Sequence, residues 1–403
     1  MRLHYEGRRD GQQIIDDISA ASLRVAGGAG APNKLILGEN RAVLKALLDR
    51  YAGKVGLVYI DPPFATNAHF RVGGDRANSV SSSRRDPIAY SDRLLGPAYL
   101  EFLRERLVLL RELLADNGSI YLHIDYKIGH YVKVLMDEVF GAENFRNDIT
   151  RIKCNPKNFA RKGYGNIKDM ILFYGKSDAA TWREARRPLS AEQAVRLFKK
   201  TDAEGRRYTT VPLHAPGETT RGETSKPWRG MAPPKGRHWR SAPDVLDQLD
   251  RQGLIEWSAT GVPRKKIYLD EGNGQKVQDI WEFKDPQHPN YPTEKNLDML
   301  KLIVGASSTE GDLVLDCFCG SATTLIAAEE LGRNWIGIDE SEHAIAVAQR
   351  RLGSSAGERG AIAEYETLVQ RGGDDELHAT THPIFHPVNA HPDRKPEQLR
   401  LAA

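Results

Sequence analysis

The stretch that most constrains this chain is Val55-Gly56-Leu57-Val58-Tyr59-Ile60, an apolar run closed by Asp61-Pro62-Pro63-Phe64. Near-continuous apolarity at strand length marks a strand buried on both faces, the condition of a parallel sheet covered by helices. Two consecutive prolines forbid the strand to continue, because each lacks a backbone N–H and fixes φ. A carboxylate is therefore left at the C-terminal edge of a strand, and ligands of open α/β sheets bind at that edge.

The same pattern recurs along the chain. Lys34 to Leu37 reads as a strand that Gly38-Glu39-Asn40 turns into a helix from Ala42 to Tyr51, with Val43, Leu44, Leu47 and Leu48 at helical spacing. A helix from about Ala98 to Ala115 leads into a strand from Ser119 to Ile124 that closes on Asp125. His123 inside that strand is expected to be a packed core histidine. A helix from Ile128 to Phe140, stopped by Gly141, and a strand from Ile171 to Tyr174 follow. Leu313-Val314-Leu315-Asp316 is a further strand, Cys317 to Thr324 a tight glycine turn, Leu325 to Leu331 a helix, and Trp335 to Ile338 a strand closing on Asp339. That acid falls about twenty residues after the glycine turn, where a ribose-binding acid belongs. The layout is that of a nucleoside-binding unit, with the glycine letting a ligand approach the backbone.

Residues 178–285 break the alternation of strands and helices. Between Arg151 and Arg240 there are 21 Lys and Arg against 8 Asp and Glu, in a chain whose total charge is only +3. Such segregation is the footprint of a polyanion partner. Arg229, Arg237 and Arg240 alternate with Trp228 and Trp239, a composition suited to phosphates and bases, with a merely basic surface as the alternative. The basic stretch Lys153 to Asp169 fits a solvated loop or a DNA-facing one equally.

Cys154, Cys317 and Cys319 are too few and too unevenly spaced for a disulfide framework or a four-ligand zinc site, so reduced thiols and no metal are expected. No run approaches 18 apolar residues and the N-terminus lacks a signal-peptide pattern, which reads as a cytoplasmic chain with no membrane partner. Residues 1–32 show no periodicity and are expected to be a poorly ordered arm. The polar loop 65–91 flanks the candidate site, and 353–403, with His378, His382, His386 and His391, is expected to be a disordered tail.

What the Asp61 turn can do follows from its atoms. An ionised Asp is acceptor-only and the Pro63 carbonyl is a second acceptor, so the pair can hold both hydrogens of an exocyclic amino group while Phe64 stacks on the attached ring. Taken alone, such a turn also fits an ordinary strand end.

With these motifs in this order, the chain resembles the β-group amino-methylating DNA methyltransferases that use S-adenosyl-L-methionine. The resemblance rests on Asp61-Pro62-Pro63-Phe64, on Leu35 to Asn40, on Tyr291-Pro292-Thr293-Glu294-Lys295, and on Asp316 to Thr324 with Trp335 to Asp339, and it covers roughly 33–177 and 286–352. It implies a permuted, Rossmann-like α/β methyltransferase fold with a catalytic half (33–177), an inserted target-recognition domain (178–285) and a cofactor-binding half (286–352). It implies methylation of adenine N6 in double-stranded DNA, and it allows a homodimer and a restriction partner. Asp61, Pro62, Pro63 and Phe64 would take the flipped base. Asp316 and Gly320 would lie along the methionine portion, Asp339 would take the ribose and Glu39 the adenine, with Asn40, Phe318, Ser321 and Thr323 also cofactor-binding and Thr293 and Lys295 in the same cofactor lobe.

Cytosine N4 methylation is the alternative within the class, and cytosine enzymes of this kind more often carry Ser at the Asp61 position. A protein or RNA amide methyltransferase would carry Asn-Pro-Pro-Tyr and lack the basic insert, and a DNA-binding module without catalysis is the third reading. The family pattern has a proline where this chain has Cys317, a second glycine where it has Ala322, and a glutamine where it has Glu294. Ala322 is expected to crowd the cofactor.

Overall fold

A computed structural model describes residues 2–63, 96–155, 162–271, 274–286, 294–354 and 364–371, and the backbone of 68–71 and 88–92. It divides into two compact units, 1–183 with 278–403, and 184–277. Phe64, Thr293, the histidine-bearing tail and most of the polar loop lie outside the described residues; the two loop segments that are described pair as a hairpin.

The large unit is built on a ten-stranded sheet. Its strands are β1 (Leu23–Gly27), β2 (Asn33–Leu37), β3 (Val55–Ile60), β4 (Leu114–Ile124), β5 (Phe145–Ile152), β6 (Lys168–Gly175), β7 (Ile280–Glu282), β8 (Leu313–Asp316), β9 (Asn334–Asp339) and β10 (Tyr365–Gln370). They lie in the order β1-β10-β2-β9-β8-β3-β4-β6-β5-β7, and the run from β10 to β4 is parallel throughout. The apolar runs read from sequence are the buried centre: Leu57, Val58 and Ile60 of β3 and Val314 and Leu315 of β8 are fully buried. Because the strands are parallel, their acid-bearing ends share one edge. β8 pairs with β3, Leu315 opposite Val58, so Asp316 and Asp61 end neighbouring strands although the chain separates them widely. From these two strands the chain leaves in opposite directions across the sheet, which opens a crevice at such a switch point.

Two sequence expectations change. Residues 1–32 are not an arm without structure: Gly11–Asp17 is a helix with a capping box from Asp10, Ile14 is fully buried, and β1 pairs with β10. A helix this short offers too few turns for a periodic signal. The helix placed at Ala98 to Ala115 is Gly96–Leu113, and Leu114 already belongs to β4.

The small unit has a four-stranded antiparallel sheet, two short ribbons and the helices Ala191–Leu197 and Pro243–Arg251. Its own core gathers Leu213, Trp228, Trp239, Leu246 and Ile255.

Candidate active site

Asp61 follows directly from β3, with Pro62 buried beneath it. One carboxylate oxygen, Oδ2, accepts a hydrogen bond from Lys295 Nζ. The other, Oδ1, is buried with no hydrogen-bond partner among the described residues. The Pro63 carbonyl accepts from the Tyr99 hydroxyl at 2.7 Å, which engages one of its two lone pairs and leaves the second. Behind Asp61, His123 is fully buried in β4, with Nδ1 3.0 Å from the Tyr59 hydroxyl and Nε2 3.2 Å from Asp169 Oδ2. Its Nδ1 lies 3.7 Å from Asp61 Oδ1, beyond hydrogen-bond reach. Burial holds the imidazole below its ordinary pKa, against the pull of Asp169 and Asp61. Burial also opposes ionisation of Asp169, but the hydrogen bonds from His123 and Lys153 outweigh it and keep that carboxyl below the usual range. His123 is the core histidine that the strand pattern suggested, packed against the back of the site.

The glycine turn after β8 is laced by backbone donors. Asp316 accepts from Phe318 N at 3.0 Å and from the Thr324 hydroxyl at 2.6 Å. Asp339, at the end of β9, accepts from Gly320 N and Ser341 N, each at 2.9 Å. Burial pushes Asp316 up to about 7 and Asp339 up to about 6, both against the hydrogen bonds they receive. Gly320 has φ 49 and Ala322 φ 66. The left-handed conformation at 322 is the reason a glycine suits that position, and Ala322 adopts it at a steric cost while its side chain is fully buried. Ser321 and Thr323 are held by Arg351, whose Nη1 donates to the Ser321 carbonyl (2.6 Å), the Ser321 hydroxyl (2.7 Å) and the Thr323 hydroxyl (3.0 Å). Phe318 packs on Phe102.

Glu39 caps the helix Asn40–Tyr51, its carboxylate accepting from Arg41 N and Ala42 N, each at 3.0 Å, and from Arg106 at 2.6 Å. Asn40 donates to the Cys317 carbonyl at 2.8 Å and accepts from Arg106 Nε at 2.6 Å. Arg106 is buried under this pair with its guanidinium 3.6 Å from the centre of the Phe102 ring, and burial lowers it to about 10. Arg106, Arg351 and Tyr99 were not picked out from sequence. Tyr99 and Arg106 sit in the helix placed from about Ala98 to Ala115 with no site residue assigned to it, and Arg351 lies near the end of the helix Glu342–Ser354 that follows β9. Lys295, expected in the cofactor lobe, donates to the Asp61 carboxylate.

The small unit corrects two further expectations. Trp228 and Trp239 are 1% and 3% exposed, so neither face of either ring is open to a base. Their indole N–H groups are used inside the unit, by Asp247 at 2.8 Å and the Lys226 carbonyl at 3.2 Å. Arg229 is exposed but paired with Asp247 (3.3 Å) and Asp250 (2.7 Å). Arg237 and Arg240 are exposed, and Trp257, 38% exposed, is the indole that stacks on Trp228 from outside.

Residues 55–350 match the model of a DNA methylase family. The type II methyltransferase M.EcaI of Enterobacter cloacae is 42% identical over 362 residues, spanning 87% of this chain and 77% of that protein. The type III restriction-modification enzyme StyLTI Mod subunit of Salmonella typhimurium is 27% identical over 81% of this chain, which spans 54% of that longer protein. Among solved structures, the putative DNA modification methylase TTHA0409 of Thermus thermophilus, complexed with S-adenosyl-L-methionine, is 16% identical with a TM-score of 0.43, covering 86% of this chain and 100% of that one.

Proposed function

This chain belongs to the N6/N4 DNA methylase family, and from that premise we propose that it transfers a methyl group from S-adenosyl-L-methionine to the N6 amino group of adenine at a specific site in double-stranded DNA. The observation that carries the reading is the pairing of β3 with β8, which sets an acceptor-only carboxylate, Asp61, beside the buried, glycine-flanked Asp316.

The residues present fit a cationic nucleoside. Two carboxylates whose ionisation burial opposes, Asp316 and Asp339, flank the turn, and a positively charged ligand favours their ionised forms. A cavity of about 380 Å³ lies at the ends of β2 and β9, lined by Leu37, Gly38, Glu39, Glu340, Glu342 and Gln370, and suits the adenosine half. The Glu39 carboxylate is taken up by its helix and Arg106, so this residue serves the adenosine as wall and helix cap. S-adenosyl-L-methionine supplies a methyl group already activated on sulfonium, so the chain needs no covalent nucleophile. Its own work is positioning and charge placement. Asp61 and the open lone pair of the Pro63 carbonyl hold the amino group of the flipped base, with Phe64 against the ring. The Cys317 and Cys319 thiols are buried and kept protonated by burial, unlike a nucleophilic cysteine.

The unit 184–277 is the proposed DNA-reading unit, with Arg237 and Arg240 on phosphates. A restriction partner and a homodimer belong to the same reading. The test is nucleoside analysis by mass spectrometry of DNA from cells expressing the chain. N6-methyladenine is the expected product. N4-methylcytosine would overturn the base assignment, and unmodified DNA the activity.

A further inference from the structure

We propose that Lys295 is a positioning residue for Asp61, aimed by a chain of contacts that ties the cofactor turn to the base-facing carboxylate. The inference rests on the reading of Asp61 as the acceptor of the target amino group.

The geometry starts from three consecutive side chains. In an extended segment, neighbouring side chains point to opposite sides. Glu294 Oε1 meets Arg351 Nη2 at 2.8 Å, Lys295 donates to Asp61 Oδ2, and Asn296 Oδ1 accepts from Met299 N at 3.1 Å to cap the helix Leu297–Ser307. Asn296 is further tied to the Lys284 carbonyl at 2.9 Å. Lys295 is thus held from both sides with its ammonium directed at Asp61. The two side chains are 11% and 16% exposed, so this pair is screened less than a surface ion pair.

Arg351 extends the connection. It holds Ser321 and Thr323 of the glycine turn with Nη1 while Nη2 holds Glu294. A continuous path runs from Ser321 through Arg351, Glu294 and Lys295 to Asp61, joining the two sequence-distant halves of the large unit. It also gives Glu294 a reason to stand where the family has glutamine, since only a carboxylate pairs with Arg351 as an ion pair. With Lys295 on Oδ2, the plane of the Asp61 carboxylate is set. Oδ1, which has no hydrogen-bond partner among the described residues, faces His123 Nδ1 at 3.7 Å.

The groups facing Asp61 are Lys295 from the segment before Leu297–Ser307 and His123 from β4, with Tyr59 and Asp316 at longer range. Lys295 is the cation in direct contact with the carboxylate.

The experiment compares Lys295→Met and Lys295→Arg in the full chain. It measures kcat and KM on duplex DNA, S-adenosyl-L-methionine affinity by calorimetry, and thermal unfolding. Lys295→Met is expected to lower kcat roughly 10- to 100-fold with KM for the duplex little changed, the scale of a misplaced reacting group. Cofactor affinity should stay within about twofold of the parent, since the residue acts on the base side. Lys295→Arg should restore most of kcat. If cofactor affinity falls in step with kcat/KM, Lys295 serves the cofactor and the inference is wrong. A loss of kcat that Lys295→Arg does not rescue would reduce Lys295 to a structural tether. Should Lys295→Met lose its cooperative melt, Lys295→Gln takes its place with the same expectations. Asp61→Asn separates the two layers: its full activity would sink the reading of Asp61 itself, whereas an inactive Asp61→Asn beside a normal Lys295→Met would sink only the present inference.

Discussion

The large unit buries charged groups at its sheet edge, whereas the core of the small unit is built on two tryptophans and aliphatic side chains. Asp316, Asp169, His123 and Arg106 are all buried around the sheet edge, each with donors or acceptors built to meet it. In the small unit Trp228 and Trp239 fill the core while Arg237 and Arg240 stay in solvent. A large α/β sheet has apolar surface to spare, so it can bury charge where a small ligand needs preformed partners. A small unit has little core volume and commits its largest side chains to holding itself together. Aromatics interleaved with cations therefore describe, in this unit, a core beneath a charged surface.

Substitutions at the two kinds of buried group should separate function from folding. The largest effect is expected from Asp61→Ala, which should cut methyl transfer roughly 10²- to 10⁴-fold, the range of a lost catalytic group, with cofactor binding largely intact. Parallel loss of both in activity and calorimetric assays would erase the distinction between base side and cofactor side. In the small unit, Trp228→Ala should cost about 3–5 kcal/mol of that unit's stability, and Trp257→Ala only about 1 kcal/mol, because the second ring loses a stacking contact and little burial. Equal shifts in chemical denaturation would break the assignment of core and surface.

The cations of the small unit should act on DNA without acting on its fold. Arg237→Ala with Arg240→Ala is expected to flatten the dependence of log affinity on log salt by about 0.9 for each phosphate contact removed. A melting temperature that falls while the salt slope stays put would reverse the roles. On the buried-carboxylate side, a cationic cofactor favours ionised Asp339 and Asp316, whose ionisation grows as pH rises through about 6 and about 7. Affinity for S-adenosyl-L-methionine should therefore climb through that window, by at most about tenfold per pH unit for each protonated group, and then level off. Proton release measured by calorimetry in buffers of different ionisation enthalpy checks the sign, and Asp316→Asn should remove the upper part of the rise. The smallest effect is at the turn: Ala322→Gly relieves a left-handed alanine and should stabilise the protein by roughly 0.5–1 kcal/mol, read as a raised melting temperature. If cofactor affinity rises as well, Ala322 crowds the ligand in addition to straining the backbone.

Much of the site was legible in the chain because strand ends announce themselves locally. Val55 to Ile60 is apolar enough to be buried on both faces, and Pro62-Pro63 must stop it, so Asp61 could stand nowhere but at a sheet edge. Leu313 to Asp316, the glycine turn and Asp339 follow the same logic, and parallel pairing then puts all three acids on one side. These features depend on neighbours within a few residues.

Only the tertiary structure decided which cation meets which carboxylate. Lys295 reaches Asp61, and Arg351 reaches Ser321, Thr323 and Glu294, because β8 lies against β3 and the helix Glu342–Ser354 packs back over the turn. A lysine or arginine has the same local signature whether it faces solvent, a phosphate or a buried acid. The indoles show the same limit, since a tryptophan beside an arginine is equally suited to stack on a base or to fill a core. Its burial is settled by what Leu213, Leu246 and Ile255 bring to it from other parts of the unit. Local sequence determines where a strand must end; the partners of a long side chain are set by distant segments that the fold brings within its reach.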